Sequence, residues 1–399
     1  MTEKHHPNFV HYLLLIGGII LIATNLRPAI TSVGPLIGTI RNEMHLSYGL
    51  AGLLTTLPLL AFAAFSMLAP KLSRRFGNAL VIFAGLLTLI IGVLMRSISS
   101  IATLFIGTFV LGIAIAICNV LLPSVIKRQF PGRVGLMTGI YATWMGIFAA
   151  LGSGISVPLA ERLGLGWKGA LAFWALWAAV AAIVWIPQLR NRQKPDGARE
   201  VNVRLSGLWR SPLAWQVTLF MGLQSLIFYV SISWLPELLD QRGLSISAAG
   251  WIVSFMQFVG LPGTFLIPVL ADRTPSQRWL VIITCAFYVV GLSGLLFSTA
   301  WPVLWIALLG LGQGSSISLS YAFLGLRARN SGQAAELSGM AQSVGYILAA
   351  VGPVLIGYLH DMTHDWTLPL GFLIVITFVM LLAGLGAGRD AYVTPNVER

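Results

Sequence analysis

The chain has 399 residues, 57% hydrophobic and only 10% charged, and its mean hydropathy is +0.84. Soluble domains carry about 25% charged residues, so this composition excludes a soluble globular fold and points to a polytopic membrane protein. The net charge of +12 would suggest nucleic acid in a soluble protein, but here it follows from membrane topology and calls for no nucleic-acid partner.

A spanning helix needs about 20 mostly apolar residues. The first predicted span runs from about His11 to Ile40 and carries one cation, Arg27, within Asn25-Leu26-Arg27-Pro28. A charge near the bilayer midplane is costly unless water and polar partners relieve it, so Arg27 is the leading candidate functional residue. The structural alternative is an arginine satisfied by backbone carbonyls or by a buried acid. Pro28 offers no N–H to the carbonyl of Thr24, and Pro35 likewise frees that of Thr31. The first helix is therefore expected to kink or loosen around Arg27, which at that depth is tolerated only where the backbone is buried or lines a wet cavity. On a regular helix Thr24, Arg27, Thr31 and Gly34 would share one face. A planar guanidinium beside hydroxyls suits an anionic or strongly dipolar ligand, because it donates paired hydrogen bonds.

Further uncharged runs follow at Leu46–Pro70, Phe76–Met95, Ser97–Ile126, Val134–Ala160, Gly169–Leu189, Ser211–Pro236 and Gly243–Ala271. A double-length run, Trp279–Leu326, is expected to break near Ala300-Trp301-Pro302, and Leu337–Leu359 and Trp366–Gly388 complete twelve spans. With a cytoplasmic N-terminus, only Arg41, Arg96, Arg162, Lys168 and Arg242 fall outside; Arg27 lies within the membrane and the remaining 19 Lys and Arg face the cytoplasm. That asymmetry fits the positive-inside rule and places both termini in the cytoplasm of a bacterial-type inner membrane. Cys118 and Cys285 lie in separate spans and give neither a disulfide framework nor metal spacing, and no cofactor is expected. The N-terminal apolar segment lacks a convincing cleavage site and is read as a retained helix.

The chain repeats itself at a spacing of about 200 residues. Leu46-Ser47, Ala51-Gly52 and Pro70 recur 198 positions later as Leu244-Ser245, Ala249-Gly250 and Pro268. Leu111-Gly112, Gly139, Ala149-Ala150 and Gly152 recur 200 positions later as Leu311-Gly312, Gly339, Ala349-Ala350 and Gly352. Six spans per half is an even number, so the halves enter the membrane alike and can be related by an axis along its normal. The expected organisation is an all-α membrane protein with one six-helix bundle in residues 1–189 and another in 211–399. A cytoplasmic linker, 190–210, carries six basic residues.

Over essentially its whole length the chain resembles the major facilitator superfamily. That family's loop signature between helices 2 and 3 is a glycine, three residues, Asp-Arg, a spacer, and glycine with a basic residue. The first copy here reads Pro70-Lys71-Leu72-Ser73-Arg74-Arg75-Phe76-Gly77, with proline for the leading glycine and Arg74 for the aspartate. The second copy, Pro268-Val269-Leu270-Ala271-Asp272-Arg273-Thr274-Pro275, keeps Asp-Arg. The resemblance implies that Asp272 and Arg273 make a gating contact, while Lys71, Arg74 and Arg75 also read as an ordinary positive-inside loop. Within the superfamily, Asn25-Leu26-Arg27-Pro28 with Gly34-Pro35-Leu36 is similar to the cyanate-porter subgroup, which includes nitroimidazole exporters. Cys118-Asn119-Val120-Leu121-Leu122-Pro123 and Ile126-Lys127-Arg128-Gln129-Phe130-Pro131 carry the same likeness.

The resemblance further implies a path lined mainly by helices 1, 4, 7 and 10, helped by 5 and 11. On those helices the candidate substrate-binding residues are Asn25, Arg27, Thr31, Asn119, Tyr141, Gln224, Gln313, Gln342 and Tyr346. Membrane serines and threonines usually bond their own backbone. Amides are satisfied less easily, so each candidate Asn or Gln is either helix–helix glue or a substrate contact. Trp144 reads as packing. Glu237, after Pro236, is the one acid placed to titrate, with a solvated rim acid as its simpler reading.

The expected function is a secondary active or facilitative transporter moving a small anionic solute, cyanate-like or a small organic anion, by alternating access as a monomer. The alternative is export of neutral dipolar compounds such as nitroimidazoles. A sensor or receptor using the same cavity is the reading from a different class. An enzyme is disfavoured, because neither His-Glu-x-x-His nor Gly-x-Ser-x-Gly occurs, and a primary pump because no Gly-x-x-x-x-Gly-Lys-Ser/Thr loop occurs.

Overall fold

The computed structural model describes residues 9–66, 68–98, 100–130, 134–189, 208–298, 300–329 and 331–393. Twelve helices are long and apolar enough to cross a membrane. We number them α1 (residues 9–44), α2 (Tyr48–Phe65), α3 (Asn78–Arg96), α4 (Ile101–Gln129), α5 (Val134–Glu161) and α6 (Gly166–Leu189) in one half. The other half holds α7 (Pro212–Gln241), α8 (Ile246–Asp272), α9 (Arg278–Phe297), α10 (Pro302–Leu326), α11 (Ser331–Thr363) and α12 (Thr367–Ala387). A spanning helix satisfies its backbone internally, and lipid-facing side chains are apolar, as at Leu176 and Leu382.

Element ends follow local chemistry. The Ser47 and Ser245 hydroxyls, one repeat apart, accept the backbone N–H of Leu50 at 3.1 Å and of Ala248 at 3.3 Å, capping α2 and α8 alike. The double-length run breaks as expected, with Trp301 in the left-handed region (φ 60°) and Pro302 opening α10. The second run does not hold to Pro70. α2 stops at Phe65, and a separate short helix, Ala69–Phe76, carries Lys71 and Arg75. Its basic residues make it amphipathic and hold it out of the apolar layer. The side chain of Arg74 and most of the expected linker, residues 190–207, lie outside the described residues.

α1 is the irregular element. Its segments are Phe9–Ala23, Pro28–Thr31, a 3₁₀ turn at Gly34–Leu36, and Ile37–Met44. Each proline opens a segment, as the missing N–H groups require. Residues 24–27 form turns in which the Asn25 and Leu26 N–H groups bond the carbonyls of Ile22 and Ala23.

Packing repeats with the sequence. α2 packs on α4, α3 on α4 and α6, and α1 on α6; six helices later, α8 packs on α10, α9 on α10 and α12, and α7 on α12. The halves meet through α2 on α11 and, as its counterpart, α5 on α8, together with α1 on α7. Repeated glycines permit this closeness. A Cβ at Gly52 would lie 2.5 Å from the Pro353 carbonyl oxygen, and one at Gly250 would lie 3.0 Å from that of Ser153. Small residues serve membrane interfaces in this way because dispersion, not the hydrophobic effect, drives helix association in lipid.

Between the halves Gly34 is the tightest such point, since a Cβ there would run into the Ile232 carbonyl of α7. Gly34→Ala is expected to destabilise the folded protein by about 1–3 kcal/mol, the usual cost of overpacking. A fall in Tm of the detergent-purified protein checks this, and an unchanged Tm would show that α1 and α7 do not close on this residue.

Candidate functional site

A cavity of about 260 Å³ lies between the halves at the break in α1. α1, α5, α7, α8, α10 and α11 all contribute to its wall, and no acidic side chain lines it. Arg27 is held there by a hydrogen bond from Nη1 to the Tyr229 hydroxyl, 2.9 Å, and by the Phe228 ring, whose centroid lies 5.7 Å from its guanidinium carbon. Tyr321 and Tyr346 also line the cavity, and with Tyr141 they lie within electrostatic reach of the guanidinium. The site thus combines one uncompensated cation, tyrosine hydroxyls and a largely apolar wall.

Of the sequence candidates, Arg27, Gln224, Gln313 and Tyr346 come together in this wall. Gln224 donates to the Ser225 hydroxyl at 2.8 Å, and Tyr346 meets the Phe62 ring edge-on. The others lie elsewhere. Thr31 donates to the Ala149 carbonyl at 2.8 Å, and Asn25 to that of Leu21 at 2.7 Å, so both are spent on packing. Thr24 donates to the Leu21 carbonyl and accepts from the Trp177 indole. The face shared by Thr24, Arg27 and Thr31 is therefore not a ligand face, because the helix unwinds between them and the 3.6-residue period no longer applies. Asn119 is half-buried on α4, which does not line the cavity, and Gln342 donates to Ser338 at 2.8 Å. Tyr141 sits beside the wall residue Ala142 without lining the cavity itself.

α8 supplies what the sequence reading missed, namely Gln257 and Thr264, with Gly260 between them. Gln257 carried the same signal as the other amides, a lone amide in an apolar span, but stood on a helix not expected to face the path. Tyr321 was also legible, two turns beyond Gln313 on α10.

Two charges correct the sequence reading. Arg96, expected outside the membrane, is 1% exposed at the end of α3 and donates to the Ala29 carbonyl in the loosened part of α1. It compensates backbone that the helix break leaves without an intrahelical partner. Glu237, whose simpler reading was a solvated rim acid, is 8% exposed and pairs with Arg41 at 3.2 Å. It also accepts from Tyr48 at 3.3 Å and from Gln241 at 3.4 Å. Asp361 on α11 accepts the backbone N–H groups of Tyr48 and Gly49 at 3.0 and 2.8 Å.

This network closes the end of the molecule remote from the termini. The hydrogen bonds from Arg27 to Tyr229, from Thr56 to the Ala350 carbonyl and from Ser233 to Thr55 join the halves at the level of Arg27 and towards that end. At the other end Asp272 and Arg273 are exposed, and α4 does not pack along α10 or α11.

The Major Facilitator Superfamily profile matches residues 15–350 of this chain. The chain belongs to that superfamily. An uncharacterized transporter of Bacillus subtilis, YycB, is 53% identical over 97% of this chain and 96% of its own. The 2-nitroimidazole transporter of Escherichia coli is 45% identical over 95% and 96%. The E. coli cyanate transport protein CynX is 28% identical over 89% and 92%. Among solved structures, that of the nucleoside transporter NupG superposes with a TM-score of 0.78 at 12% identity, covering 94% of this chain and 99% of that one. The protein is thus a multi-pass membrane transporter and not an enzyme.

Breaking a buried ion pair by removing one partner leaves the other charge uncompensated. Glu237→Gln is therefore expected to loosen the closed end. A cysteine at Thr55, two turns deeper on α2, should then react several-fold faster with a membrane-permeant maleimide than the same cysteine beside native Glu237. Equal rates would mean that the Arg41–Glu237 pair does not hold this end shut.

Proposed function

We propose that the protein moves a small anionic solute across the cytoplasmic membrane by alternating access around Arg27. The observation that carries this reading is a cation in a cavity lined by no acid, with one tyrosine hydroxyl as its side-chain hydrogen-bond partner. An ion of opposite charge is the partner that best offsets its desolvation. The halves 1–189 and 211–399 rock about the linker 190–210, the protein working as a monomer. With both termini cytoplasmic, the closed end faces outward and the cavity opens inward. Closure of the inner end brings Asp272 and Arg273 against the opposite half.

A second reading is favoured by the apolar, aromatic wall and by the relative named as a 2-nitroimidazole transporter. In it the solute is neutral and dipolar, is exported, and places a nitro group where the anion would sit. A guanidinium can donate paired hydrogen bonds to either group.

Counterflow in proteoliposomes across matched anionic and neutral nitro compounds separates the two readings. Arg27→Ala is expected to lower exchange by about tenfold or more, with the protein still folded and inserted, and Arg27→Lys to weaken recognition while keeping the charge. Near-normal exchange in Arg27→Ala would return the arginine to a structural role. Exchange indifferent to solute charge would exclude the anionic reading.

A further inference from the structure

The polar groups of the cavity wall are mostly satisfied from within the protein. Ser318 donates to the Thr264 carbonyl at 3.2 Å, Thr264 donates to the Gly260 carbonyl at 3.3 Å, and Gln224 is bonded to Ser225. Gln313 differs. It is 6% exposed, lines the cavity from α10, and neither its Oε1 nor its Nε2 has a partner. Gln257, on the same cavity wall from α8, donates through Nε2 to the Ser153 hydroxyl at 3.1 Å, while its buried Oε1 has no donor. Buried amides are nearly always paired, and an orphaned one is destabilising.

The surroundings explain why the protein does not satisfy them itself. Gly310 and Gly314 stand on either side of Gln313, and a Cβ at either would run into the Met256 or Gly260 carbonyl of α8. The two backbones touch there, so the neighbouring positions bring no side chains that could pair with the amides.

We infer that Gln313 and Gln257 form a second recognition pole, which selects solutes bearing an N–H or O–H donor besides the group that meets Arg27. This rests on Arg27 binding the acceptor end of the solute. The Arg27 guanidinium offers donors only, whereas the amide pole offers two acceptor oxygens and one free amide N–H₂. A hydroxyl, or a ring N–H, complements the second pole, and a carboxylate or nitro group complements the first. At about 260 Å³ the cavity falls below the usual drug-sized range of about 300–1,000 Å³, so the solute class is a single substituted ring.

The test uses two probe pairs in which a methyl group replaces the donor hydrogen, and Gln313→Leu separates loss of the donor from added bulk. They are 4-hydroxybenzoate with 4-methoxybenzoate, and 4-nitroimidazole with 1-methyl-4-nitroimidazole. Binding is measured by calorimetry on the purified full-length protein and exchange by counterflow in proteoliposomes. The native protein should prefer the donor-bearing member of a pair by about tenfold or more, the penalty a site pays when its buried polar groups are left unpaired. Gln313→Leu should erase that preference by weakening the donor-bearing probe. Gln313→Glu keeps the acceptor, so it should retain the preference among the neutral nitro compounds while weakening both benzoates. Preference unchanged in Gln313→Leu, no preference in the native protein, or no saturable binding of any probe overturns the inference. Arg27→Ala reports separately on the first pole. Loss of all four probes there supports the Arg27 reading, and retention of all four sinks it while leaving the donor preference measurable.

Discussion

The constraint on which the rest of this structure depends is the break in α1. Two prolines seven residues apart remove two backbone donors from a helix that must cross lipid, and every group they release needs a partner inside the protein. The neighbours supply these partners. The Ser153 hydroxyl of α5 donates to the Thr31 carbonyl that Pro35 frees, Arg96 reaches from α3 to the Ala29 carbonyl in the same loosened stretch, and Gly34 lets α7 approach backbone to backbone. Arg27 sits on the unwound stretch itself, aimed between the halves instead of along a helix face. A regular helix of the same sequence would have spent that cation against its own hydroxyls.

Around this break the two halves make a symmetric frame with an asymmetric interior. The contacts of α2 with α11 and of α5 with α8 are the same contact made twice, with Gly52 and Gly250 in equivalent places. The position 198 residues after Arg27 is Ser225, which lines the same cavity without a charge. At the closed end the asymmetry takes another form. Arg41 and Glu237 are 196 positions apart, nearly one repeat, so almost equivalent sites on α1 and α7 carry opposite charges and meet across the pseudo-symmetry axis. Duplication supplies a frame that closes on itself, and divergence of single residues makes its interior asymmetric.

Much of this was legible in the sequence, and the rest was not for identifiable reasons. Spans, repeat and helix break follow from apolar run length, a constant offset and two prolines, all of which are local. Arg27 was legible because a cation in an apolar run has no bland default. Arg96 was not, because it lies at the end of its run, where a loop charge and a buried one look alike until the carbonyl it meets is known. Glu237 failed similarly, since its burial depends on Arg41 and Tyr48 from the other half. Among the amides, sequence could not tell Gln313, which finds no protein partner, from Gln342, which bonds Ser338 one turn away. That distinction belongs to the glycines of α8 and α10, whose significance appears only when the two backbones touch.

The acid-free wall bears on how occupancy and conformation are linked. Arg27 in a cavity open at one end can be hydrated, so its charge is tolerable while the site is empty. Closing that end over an empty site would strip the water and leave a cation facing Tyr229 and Phe228 with no acid nearby. A bound anion removes that penalty, because the pair enters the dry state without net charge. Closure with an anion aboard is then less costly than closure without one, and the difference grows with the desolvation of Arg27. No acidic side chain lines the wall to take the solute's place. For an anionic solute, the absence of an acid from this wall is what ties conformational exchange to the presence of cargo.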